Sequence, residues 1–311
     1  MAEWLYEAGI GEARAALVEG GRIVAARIER PGGLRVGAVF DARLVERVAA
    51  GLSRVEGEQG AAVIRHVPPG VTEGARLRVE IVREALPETG RVKLAKAVAT
   101  DAAPTEGADL LARCRASGMP VRVLRAHEPD ALEAAGWSEV LDEALTGEIA
   151  FAGGALRLSP TPAMTLLDVD GPGAVPALAV AAATATAEAI MRHDIGGSIG
   201  IDFPTVTGKV ERLAVAEAID AALPQPFERT ALNGFGFLQI VRPRSRASLP
   251  ELLRADPVAA EALTLLRRIE RIPPPVPAVH DAPPRVAAWL AARPDLIAAL
   301  SRAAGVPISI R

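Results

Sequence analysis

The chain has 311 residues, 50% hydrophobic and 3% aromatic, with 35 Lys+Arg against 38 Asp+Glu and one cysteine. That length and apolar content allow about two domains with ample cores and exclude global disorder. The lone Cys114 excludes a disulfide framework or a cysteine-rich zinc site, and a net charge of −3 excludes an overall basic nucleic-acid binder, though not a local basic path.

No basic stretch followed by an apolar one opens the chain, so a cytoplasmic location with no membrane span is expected. Ala15–Val18, a Gly20-Gly21 turn and Arg22–Ile28 read as a β-hairpin that Pro31-Gly32-Gly33 ends. Short β-like runs follow at Val36–Phe40, Leu52–Val55, Ala61–Val67, Ala75–Val82 and Arg91–Val98, the spacing of a small OB-type barrel. Residues 99–107 read as a linker. Asp109–Ser117 reads as a helix, Val121–Ala126 as a strand, and Asp130–Leu145 as a helix interrupted at Gly136.

From 148 to 250 strands alternate with helices, which predicts a sheet with crossover helices. Glu148–Phe151, Gly153-Gly154 and Ala155–Leu158 form a hairpin. Thr165–Asp170, Ser198–Phe203 and Phe235–Val241 are strands, and Val175–His193 and Thr207–Leu223 are helices. The Ala-rich run Ala174–Met191 contains Glu188 and reads as a buried amphipathic helix. Pro257–Glu270 is a helix, Ile272–Pro277 a break, and Pro283–Ala292, Asp295–Ala304 and Val306–Ile310 a small helix–helix–strand unit.

Two of the strands end in carboxylates. Asp168 and Asp170 are two apart, so they share one face of a strand, and Asp202 joins them if the strands are neighbours. Such a cluster needs neutralising, and hard oxygen ligands suit Mg²⁺ or Mn²⁺. The plainer reading is that these residues cap the turns that follow. Arg242, Arg244 and Arg246 form a basic run suited to phosphates, or simply a solvated surface. Lys209 opens the helix after Asp202.

Leu166-Leu167-Asp168-Val169-Asp170, a long Ala-rich helix, and then Arg192-His193-Asp194-Ile195-Gly196-Gly197-Ser198-Ile199-Gly200-Ile201-Asp202-Phe203 resemble the catalytic DNase I-like region of the ribonuclease E/G family. Phe235-Gly236-Phe237 through Arg242-Pro243-Arg244 is similar to that family's next conserved run, and Ala15–Pro31 to its N-terminal hairpin. The resemblance implies an α+β multi-subdomain protein: an OB-type β-barrel inserted near the N-terminus, a DNase I-like α/β catalytic region and a small α/β C-terminal unit. The corresponding boundaries are 1–33 for the N-terminal hairpin of a reduced RNase H-like subdomain, 34–100 for a degenerate OB-type RNA-binding barrel, 104–147 for the rest of that subdomain, 148–250 for the catalytic region and 251–311 for the C-terminal domain.

By the same resemblance, Asp168 and Asp202 hold the catalytic Mg²⁺, and Asp170 stands where the family has Asn. Arg242, Arg244 and Lys209 are the RNA-binding candidates. The expected activity is endonucleolytic cleavage of single-stranded RNA, leaving a 5′-phosphate and a 3′-hydroxyl. The chain departs from the family in lacking its Cys-Pro-x-Cys zinc link, so neither zinc nor a zinc-linked dimer is expected. The segment between the barrel and Glu148 is too short to hold both the family's 5′-end sensor and a full RNase H-like subdomain, so 5′-monophosphate sensing is expected to be missing. Its barrel has one aromatic residue, Phe40, where the family has stacking aromatics. These losses favour a second reading, a catalytically weak RNA- or ribosome-associated binding protein. A lesser alternative is a haloacid-dehalogenase-type phosphatase, which Asp168-Val169-Asp170-Gly171 also resembles, although the later acidic pair of those enzymes is missing.

Overall fold

The structure, a computed structural model, describes residues 1–48, 51–88 and 91–311. It divides the chain into two compact units, one of Met1–Pro31, Leu110–Leu145 and Leu252–Arg311, the other of Gly32–Asp109 and Thr146–Glu251.

The chain begins with an antiparallel meander of β1 (Glu3–Ala8), β2 (Ala13–Glu19) and β3 (Arg22–Glu29). The predicted hairpin is its second half. Gly20 and Gly21 both have positive φ, +58° and +80°, as a two-residue hairpin turn requires.

The predicted barrel is present as a closed sheet. It comprises β4 (Val39–Arg47), β5 (Ser53–Gly57), β6 (Gly60–Ile64), β7 (Arg76–Arg83) and, after a small hairpin of β8 (Leu86–Glu88) and β9 (Arg91–Lys93), β10 (Ala95–Ala99). The strands run in the order β10-β6-β5-β4-β7 and close between β7 and β10, with β6 and β10 parallel. This Greek-key closure is consistent with an OB-like barrel. Phe40, Leu44, Val55, Ile64, Val79 and Ile81 fill its interior. The first strand starts later than the sequence indicates. Gly37, at φ +81°, turns the chain just before it and donates to the Ile81 carbonyl at 2.8 Å. The expected linker is tied down too, because Thr105 and Val39 exchange backbone hydrogen bonds at 2.8 and 3.0 Å.

Next come α1 (Leu110–Ala116), β11 (Val121–Val123), which pairs in parallel with β1, and the short helices α2 (Ala131–Ala134) and α3 (Trp137–Thr146). The predicted break at Gly136 falls between those two helices. Its φ of +98° explains the interruption.

A six-stranded sheet follows, with strands β12 (Glu148–Phe151), β13 (Gly154–Pro160), β14 (Thr165–Asp170), β15 (Gly197–Asp202), β16 (Glu228–Arg229) and β17 (Phe237–Arg242) in the order β12-β13-β14-β15-β17-β16. Helix α4 (Val175–Arg192) crosses between the parallel neighbours β14 and β15, and α5 (Lys209–Ala222) follows β15. Apolar side chains at alternate positions, Leu156, Leu158, Leu167, Val169, Ile199, Ile201, Leu238 and Ile240, share one core with both helices. Helix α4 has a mean hydropathy of 1.2, high enough with its length to cross a membrane, but half of it is buried in this core. Its alanines 179, 182, 183, 187 and 189 are fully buried, and such small side chains allow close approach to the sheet.

The C-terminal elements are α6 (Leu249–Ala255), α7 (Pro257–Glu270), β18 (Val279–His280), α8 (Pro284–Ala291), α9 (Pro294–Ala304) and β19 (Ser309–Ile310), which pairs in parallel with β18. From Leu252 onward this segment falls in the same compact unit as the N-terminal meander, and its helices share a core of their own around Leu263, Leu266, Leu290 and Leu300. Buried ion pairs explain the union. Arg267 pairs with Glu12, Arg271 with Glu7 and Asp130, and Arg14 with Glu7 and Asp130. Wholly buried Trp137 has the Arg14 and Arg267 guanidiniums 5.3 and 5.9 Å from its ring centre. Charges this deep are tolerable only when paired, so those residues hold the segments to one another.

Candidate active site

β14 buries Thr165, Leu167 and Val169 and exposes Leu166, Asp168 and Asp170. β15 buries Ile199 and Ile201 and exposes Asp202. Asp168 and Asp202 are register partners across this parallel pair. Neighbouring strands lie about 4.8 Å apart, so the two carboxylates stand side by side on the face turned away from α4 and α5. They also lie toward the carboxyl ends of parallel strands, where α/β sheets commonly bind ligands.

The register extends this row to both sides. Asp168 faces Arg157 on β13, Arg157 faces Glu148 on β12, and Asp202 faces Phe237 on β17. Arg157 Nε lies 3.4 Å from Glu148 and its Nη2 4.0 Å from Asp170. Arg157 was not among the sequence candidates. It lies between buried Leu156 and Leu158, so the period of two alone places it outward, beside Asp168.

Asp170, two residues beyond Asp168, is held by close backbone packing. A Cβ on Gly154 would lie 2.5 Å from the Asp170 carbonyl oxygen, and one on Gly171 2.6 Å from the Gly153 carbonyl oxygen. The two glycines therefore let the β12–β13 turn close on the end of β14. On the same open face, a Cβ on Gly200 would meet Phe237 Cζ at 2.6 Å, Leu166 Cδ2 at 2.9 Å and Met164 Sδ at 3.0 Å. Three apolar side chains thus converge over bare backbone next to Asp202.

The arginine run points elsewhere. Leu238 and Ile240 face the core, and Arg242 continues their parity. It donates to the Ile195 carbonyl at 3.4 Å, and burial pulls its pKa down against the charge of Asp194. Arg244 pairs with Glu251 and lies against Gly197. Arg246 lies 3.8 Å from both Glu84 and Asp194. Lys209 is exposed at the first turn of α5. His193, at the end of α4, is wholly buried.

The turn before β17 is tightly built. Asn233 Oδ1 accepts the amides of Phe235 and Phe237 at 2.9 and 3.0 Å. Gly236, at φ +93°, accepts the Phe203 amide at 2.9 Å.

Among the described residues, no group of three or more His, Cys, Asp or Glu side chains is placed to hold a metal ion. The Asp168–Asp202 pair still suits one hard cation, because Mg²⁺ keeps several waters and commonly takes only one or two protein carboxylates beside a substrate phosphate. No protein-family model matches the chain, and no curated protein matches its sequence.

Proposed function

We propose that the chain is a shortened relative of the ribonuclease E/G family that cleaves single-stranded RNA with Mg²⁺. The observation that carries this reading is the register pairing of Asp168 with Asp202 on the open face. The closed barrel, the meander with α1 and β11, and the β14–α4–β15 crossover support its OB-type, reduced RNase H-like and DNase I-like assignments.

Asp168 and Asp202 would hold the ion. When bound, Mg²⁺ supplies charge neutralisation at the phosphate and activation of water. Asp170, one step further along the strand, keeps negative potential at that strand end. Arg157 offers a guanidinium beside the carboxylates, suited to a non-bridging phosphate oxygen. Arg242 and Arg244 are half-buried against Ile195 and Glu251, so exposed Lys209 and Arg157, whose pairs with Glu148 and Asp170 are long and open to water, are the better candidates for contacting the RNA backbone.

A second reading keeps RNA binding and loses efficient cutting. It is favoured by the barrel's only aromatic residue, Phe40, being 2% exposed and so unable to stack a base. Incubation of labelled single-stranded RNA with the protein, with Mg²⁺ or EDTA, separates the two. Metal-dependent cutting that leaves a 5′-phosphate and a 3′-hydroxyl is expected. Binding without cutting favours the second reading, and phosphomonoester hydrolysis without cutting favours the phosphatase alternative.

A further inference from the structure

Of the six phenylalanines, Phe235 alone is exposed, at 87%. A bare aromatic ring on a chain this poor in aromatics is costly to keep in water. Nor is it on a loose loop: the Asn233 side chain and the Gly236–Phe203 contact fix the turn that presents it. Phe235 lies two residues from Phe237, the register partner of Asp202. Beside the carboxylates, Met164, Leu166 and Phe237 make an apolar floor over Gly200. The surface therefore has an apolar, aromatic part and an acidic part side by side. That matches one nucleotide, with a flat base next to a phosphate. A protein partner fits less well, because stable protein interfaces bury at least about 1,000 Å² and Phe235 sits beside exposed Asn233 and Gly234.

We propose that Phe235 is a base-stacking residue, holding the nucleobase next to the phosphate addressed by Asp168 and Asp202. This rests on the RNA-cleaving reading of that pair. Stacking on an aromatic ring is sequence-tolerant, so Phe235 supplies affinity at the cut site where the barrel lacks stacking rings.

The test is single-turnover cutting by the wild type, Phe235→Ala and Phe235→Trp. Each is measured on a short RNA with one cut site and on copies with a single abasic nucleotide beside the cut. Phe235→Ala is expected to cut the intact RNA about five- to a hundred-fold less efficiently. Phe235→Trp should retain the wild-type rate, and on the abasic copy the wild type and Phe235→Ala should be equal. Equal rates for the wild type and Phe235→Ala on intact RNA, with Mg²⁺-dependent cutting preserved, overturn the stacking role alone. If no variant cuts any RNA, the reading of the Asp pair falls, and RNA affinity by fluorescence anisotropy decides the rest. Weaker binding by Phe235→Ala then supports stacking, and unchanged binding overturns it.

Discussion

Gly236→Ala isolates the contact that joins the end of β15 to the start of β17. A Cβ at 236 would stand 2.2 Å from the Phe203 carbonyl oxygen and 3.2 Å from its carbonyl carbon. Both are backbone atoms, so no rotamer change relieves the overlap. The φ of +93° adds strain for any L side chain. Parting the strands also stretches the 2.9 Å hydrogen bond from the Phe203 amide to the Gly236 carbonyl. Strain, overpacking and the weakened bond together predict a loss of about 3–5 kcal/mol. Gly234→Ala, two residues earlier, is the control, because a Cβ there meets nothing within 4 Å. It should change stability by less than about 0.5 kcal/mol. Urea unfolding of both variants at matched m values measures the difference. Equal midpoints for the two would falsify the close-approach reasoning.

Neutralising either carboxylate of the pair should separate stability from activity. Asp168→Asn relieves like-charge repulsion across the strands, so the urea midpoint is expected to hold or rise, by about 0.2–1 kcal/mol at most; a marked drop in midpoint contradicts the exposed, side-by-side placement. For Arg157→Ala, RNA affinity should lose about 0.7 from its logarithmic salt slope if the guanidinium touches one phosphate; an unchanged slope removes it from the interface. Asp130, the N-cap of α2, gives a pH prediction. Burial pushes its carboxyl up, but the Arg14 hydrogen bond, the Glu133 amide and the charges of Arg14 and Arg271 outweigh this and hold it below its ordinary value. A depressed folded pKa means that the stabilisation is present above about pH 4 and is lost as the pH falls through the folded value. Asp130→Asn keeps the cap and removes that titration, so its urea midpoint should fall less than the wild type's between pH 5 and pH 3. Parallel falls would show that Asp130 does not titrate as described.

Much of the region around the site was legible because it is governed by local periodicity. The sequence pattern places β12 and β14 to the residue and β15, α4 and α5 within one or two, since alternation or an apolar stripe marks each of them. The same parity rule, applied more strictly, would have turned Arg242 inward and Arg157 outward. Two-residue strands such as β16 and β18 carry no pattern, and α6 is a single seven-residue stretch with proline in its first turn. The grouping of 252–311 with the N-terminal meander was not legible either. It depends on pairs such as Arg267 with Glu12, 255 residues apart, and no local pattern reports them. Phe235 was visible only as part of a motif; its exposure follows from the Asn233 turn and the packing of Gly236.

The most direct test of the Asp168–Asp202 site is the single-turnover rate of single-stranded RNA cutting in Mg²⁺ for the wild type, Asp168→Asn, Asp202→Asn and Asp170→Asn. If the register pair is the metal-holding centre, Asp168→Asn and Asp202→Asn each lose cutting to background while Asp170→Asn, which restores the resembled family's residue, still cuts. Undiminished cutting by either Asp168→Asn or Asp202→Asn would contradict that assignment.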